Sequence, residues 1–130
     1  MPHPFNFSAG WWLILGAFVS GAVVGLGFHR TDFLGGYGSF RRRLLRLGHI
    51  SLAALGMINV LYGLSPGPGG GGGPPASAPL AGLLLVVGGV AMPVVCFLSA
   101  WQRSLRHLFF VPVLLLMTAV GLIIRAGGAP

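Results

Sequence analysis

Four long apolar stretches alternate with polar or glycine-rich segments along this chain. The first begins at Trp11 and Trp12 and continues to Phe28 through Leu13, Ile14, Phe18, Val23, Val24 and Leu26. At ~1.5 Å per residue such a run of about 18 residues is enough to span a bilayer, which predicts helix 1 over about 10–28. Its positive charge, Arg30, follows the apolar run. A cleaved signal peptide carries its charge before the run, so helix 1 reads as a retained span.

Residues 29–43 (HRTDFLGGYGSFRRR) read as a polar, glycine-broken loop, and helix 2 is predicted over 44–64. The stretch 65–79 (SPGPGGGGGPPASAP) is too rich in Gly and Pro for a packed core and reads as a tether. Helix 3 is predicted over 80–101, a tight basic turn over 102–106, and helix 4 over 107–124. The expected fold is an all-α integral membrane domain covering 1–130. Its four transmembrane helices form two hairpins joined by the tether. No internal repeat relates the hairpins, and the inverted-repeat signal of transporters is absent.

Composition sharpens this picture. Of 130 residues, 55% are hydrophobic and only 7% charged, against roughly a quarter charged in a soluble domain. That excludes a soluble enzyme domain, and the lone Cys96 excludes an internal disulfide. Asp32 is the only acid, and all eight basic residues are arginines. Arg30, Arg41, Arg42, Arg43 and Arg46 flank the first connection, and Arg103 and Arg106 the third. Only Arg125 belongs to the other side. The positive-inside rule then places both short connections in the cytoplasm, with both termini and the tether outside. The expected location is a bacterial inner (plasma) membrane. The same placement removes nucleic acid as a partner, because the charges lie within a turn or two of the membrane. Lipids and other membrane subunits, or further copies of the chain, are the partners expected.

Several residues carry candidate roles. Ala17, Gly21 and Gly25 share one face of helix 1 at four-residue spacing. Gly21 and Gly25 form a GxxxG motif, which lets helices approach closely in lipid. Pro93, mid-helix and after Gly88 and Gly89, predicts a kink. Pro112 is expected in the second turn of helix 4, freeing the carbonyl of Leu108. His29, His49 and His107 gather at the cytoplasmic side. His49 and His107 on different helices suit a b-type haem, with Arg46, Arg103 and Arg106 as propionate partners. The competing reading gives His49 and Asn59 ordinary hydrogen bonds between helices. Arg41, Arg42 and Arg43 either bind anionic headgroups or a partner, or only set topology. Asp32 either caps a short turn or pairs with a nearby arginine.

No carboxylate lies in any span, which argues against a carboxylate-driven pump. No Ser-His-Asp, Cys-His, HExxH or phosphate-loop pattern occurs. The first expectation is therefore a non-catalytic accessory or assembly subunit of a larger membrane complex. A haem-binding electron-transfer subunit and a small oligomeric pore or carrier are the alternatives.

Overall fold

The computed structural model describes residues 3–65 and 78–127. Among them there is no strand. The helices are α1 (Pro4–Phe28), α2 (Phe40–Leu64), α3 (Ala78–Trp101) and α4 (Phe110–Gly127). Two 3-10 segments, Phe33–Gly35 and Arg103–Phe109, follow α1 and α3. Four helices are long and apolar enough to cross a membrane, the last counted from Arg103. They mark an integral membrane protein. The tether lies almost wholly outside the described residues.

Helix α3 begins within two residues of the start the hydropathy pattern predicts, whereas α1, α2 and α4 begin three or more residues away. Pro4 opens α1, where its fixed φ suits the first turn and no helical hydrogen bond is lost. That brings Asn6 into the helix. Ser39 caps α2, its side chain accepting from the Arg42 amide. The arginine run thus belongs to the first turn of α2 and not to a loop. Residues 107–109 are 3-10, so α4 begins at Phe110. Pro112 is therefore in the first turn of α4, where it interrupts no helical bond. The expected break opposite Leu108 is corrected accordingly. Helix α3 continues through Pro93, whose ring is buried.

Neighbours in sequence are neighbours in space: α1 packs on α2, α2 on α3 and α3 on α4, with a smaller α1–α3 contact. Lipid offers no hydrophobic drive for this, so close van der Waals fit and polar bonds must supply it. Glycines bring α1 and α2 together. A methyl group on Gly56 would lie 2.9 Å from the Gly10 carbonyl oxygen and 2.8 Å from Ile14. One on Gly63 would meet the backbone of Phe7. Lower in the pair, Gly16 faces Leu52. The pairing descends from residues 7 and 63 to 16 and 52, so the two helices are antiparallel. Against α4, Gly88 faces Leu116, and Ala119 packs with Ala81, Leu85 and Tyr62. At the opposite end Leu44, Leu45 and Ala100 form a second cluster, covered by Val24, Leu34, Phe97 and Phe109. That cluster draws the α1–α2 and α3–α4 connections to one end of the molecule.

Candidate functional site

Polar side chains inside the spans occur at three levels. At the end away from the basic connections, Asn6 of α1 and Asn59 of α2 are buried face to face. Asn6 Nδ2 donates to Asn59 Oδ1 and to the Gly82 carbonyl of α3, each at 2.9 Å. Asn59 Nδ2 donates to Leu55 O at 2.9 Å and Leu85 O at 3.3 Å. The two amides thereby tie three helices. Gly82 is a glycine because a Cβ there would lie 2.6 Å from Asn6 Oδ1. One turn away, the Tyr62 hydroxyl donates to Ala78 O at 2.7 Å, and the His3 ring stacks on Tyr62 at 4.8 Å. The His3 amide donates to Gly63 O, satisfying a carbonyl at the end of α2.

Nearer the basic end, His49 of α2 faces α1. Its Nδ1 lies 3.2 Å from Ser20 Oγ, which is also 3.1 Å from the Ala17 carbonyl. If the hydroxyl proton goes to Ala17, the imidazole carries its proton on Nδ1 and leaves Nε2 as acceptor. The ring rests on Gly21, where a Cβ would come within 2.7 Å of Cε1. Gly21 thus provides a seat for an imidazole, whereas Ala17 is buried and Gly25 has nothing within 4 Å. The three small residues expected to form one packing face therefore have three different surroundings.

At the basic end the three consecutive arginines part company. Arg41 and Arg43 are exposed, and Arg42 is only 5% exposed. Arg42 Nη2 donates to Phe28 O at 2.8 Å, at the C-terminus of α1. Its guanidinium lies 4.3 Å from the Phe28 ring centroid and 5.7 Å from that of Tyr37. A cation there complements the negative end of the helix dipole. Arg42 is therefore engaged within the fold, in place of the lipid or partner contact anticipated for it. Arg46 lies over Tyr37 at 4.5 Å and donates to its carbonyl at 3.4 Å. Arg103 lies over Phe40 at 5.5 Å, joining the two basic connections. Asp32 caps no turn through its side chain and sits 4.0 Å from Arg30, both well exposed. Such a pair adds little stability.

The structure does not bring the candidate haem ligands into one pocket. His49 is engaged at the α1–α2 contact, whereas His107 is exposed on the 3-10 segment, which packs on α3 and α4. Arg106 and His29 are exposed as well. Among the described residues no cluster of His, Cys, Asp or Glu is arranged to hold a metal ion. The residue the hydropathy pattern missed is Asn6, whose partner lies 53 positions away. Comparison with protein families, curated proteins and solved structures finds no match for this chain.

Proposed function

We propose that the chain is a non-catalytic accessory or assembly subunit of a larger membrane complex. In this reading it forms two hairpins joined by the Gly/Pro tether, with both termini on the non-cytoplasmic side of a bacterial plasma membrane. The observation that carries the subunit reading is how the intramembrane polar groups are used. Asn6, Asn59, Tyr62, His49 and Arg42 each bond to another helix of the same chain or its end. A set spent on internal ties is that of a scaffold. Outside it, α1 presents Gly25 open, beside exposed Phe18 and Leu26, a small-residue notch of the kind a neighbouring helix fits. The sidedness is supported by the meeting of both basic connections at one end, with Arg103 over Phe40.

Gentle solubilisation followed by native mass measurement tests the proposal. A mass above that of one chain, lowered by Gly25→Leu, supports it. A lone, stably folded monomer overturns it. The runner-up is a b-type haem site, and one observation favours it: Ser20 holds the His49 ring through Nδ1, which with the hydroxyl proton on the Ala17 carbonyl leaves Nε2 for ligation. It also needs His107 to move in from the surface. A Soret band after expression with ample haem, lost in His49→Ala, would promote this reading over the first.

A further inference from the structure

Helix α1 meets α3 near its N-terminus, through Asn6 on Gly82 and Leu13 on Gly89. Towards the basic end the two helices leave a groove of about 510 Å³ over α2. Its walls are apolar, with Gly16, Val23 and Val24 from α1, Leu45 from α2, and Phe97 and Trp101 from α3. From Val24 to Gly16 it reaches about 12 Å along the helix axis. A second recess, of about 530 Å³, opens at the basic end between the two connections. Leu34, Ser39, Phe40, Arg41 and Arg103 line it, and Trp101 is again a wall. An apolar slot and a cationic mouth thus share one tryptophan at the level where α3 ends.

Charge decides what fits. The only acidic side chain of the sequence, Asp32, sits beside Arg30. Arg41 and Arg103 meet no carboxylate among the described residues, and the Arg103 guanidinium lies over the Phe40 ring at 5.5 Å. Two unneutralised guanidiniums above an apolar slot complement a phosphate on an acyl chain, and Arg suits phosphate through its paired donors. We propose that this is a binding site for one anionic glycerophospholipid. The phosphate sits between Arg41 and Arg103, one acyl chain lies in the α1–α3 groove, and Trp101 lies at the junction. The site is independent of the subunit reading, since it needs no second protein.

The test uses the full chain with Trp11→Phe and Trp12→Phe, so that Trp101 is the sole tryptophan. The protein is reconstituted in phosphatidylcholine, and brominated phosphatidylglycerol or brominated phosphatidylcholine is added stepwise. Half-maximal quenching of Trp101 is expected at a roughly tenfold lower fraction of the anionic lipid, the scale of one or two basic contacts near a membrane. Arg41→Gln with Arg103→Gln should remove the preference. Val23→Phe should weaken quenching by both lipids without changing charge. Millimolar inorganic phosphate should leave the preference intact. Identical curves for the two lipids overturn the proposal, as does a preference that survives loss of both arginines. Displacement by inorganic phosphate would do the same, pointing to a phosphate site instead. Should the double variant fail to fold, Arg103→Gln alone, at an exposed position, must still reduce the preference.

Discussion

Helices α1 and α4 are both outer helices, and they are held in different ways. In each, 11% of the apolar span is buried, against 44% for α3. Yet α1 is tied by side-chain bonds at both ends, through Asn6 to Asn59 and Gly82, and through Phe28 to Arg42. Among the described residues no side-chain hydrogen bond joins α4 to another helix; its Thr118 bonds back to Leu114. Contact with α3 rests on Leu116 against Gly88 and on Ala119 against Ala81 and Leu85. In lipid, apolar area alone does not favour one helix pairing over exposure to acyl chains. The difference therefore makes α1–α2–α3 a fixed unit and α4 a helix held by shape alone.

Removing the amide tie is the strongest way to break that contrast. Asn59→Leu leaves the Asn6 amide with Gly82 O as its one acceptor and takes from the Leu85 carbonyl the second donor it has beside its helical N–H. The expected loss is about 2 kcal/mol in a denaturant titration of the detergent-solubilised protein. Next comes the close approach: Gly56→Leu drives a side chain into Ile14 and the Gly10 carbonyl. It should cost about 1.5 kcal/mol by the same titration, because backbone on the far side cannot yield.

Arg42→Gln loses the charge at the end of α1 and the contact with Phe28, for about 1 kcal/mol. Arg41→Gln and Arg43→Gln, on exposed residues, should stay within ~0.5 kcal/mol of the parent. An equal effect of all three would mean that Arg42 has no special place. The smallest effect is expected at α4. Gly88→Ala places a methyl 2.8 Å from the Leu116 side chain and 3.4 Å from Leu115 Cβ. Helix α4, with no side-chain hydrogen bond to another helix among the described residues, can shift to admit it, so about 0.5 kcal/mol or less is lost. Hydrogen exchange should sharpen the same point, with α4 amides opening at lower free energy than those of α1.

The four helices and the helical membrane class were legible in the hydropathy pattern, because each span is a continuous apolar run. Their starting points were less so. The segment before Trp11 is polar enough to read as a lead, yet Pro4 starts a helix there and Asn6 is buried. Nothing local marks Asn6, since its meaning comes from Asn59 and Gly82, far along the chain. Arg42 had a usable signal in the sequence. Ser39 is an N-cap residue three positions earlier, and Leu45 lies one turn on, along the buried face. The Gly21–Gly25 motif was legible as spacing but not as contact. Whether a helical glycine meets a backbone, an imidazole or nothing depends on the neighbouring helix, and here it meets His49 and then nothing. The true close approach is made by Gly10, Gly56 and Gly63, which belong to two helices and so form no local motif.

Asn6 and Asn59 act as one tie between helices. A double-mutant cycle with Asn6→Leu and Asn59→Leu measures this directly, from unfolding free energies of the two single variants and the double. A coupling of about 1 kcal/mol or more is predicted, the double variant losing clearly less than the sum of the singles. Strict additivity would show that the two amides act separately, and would contradict the tie.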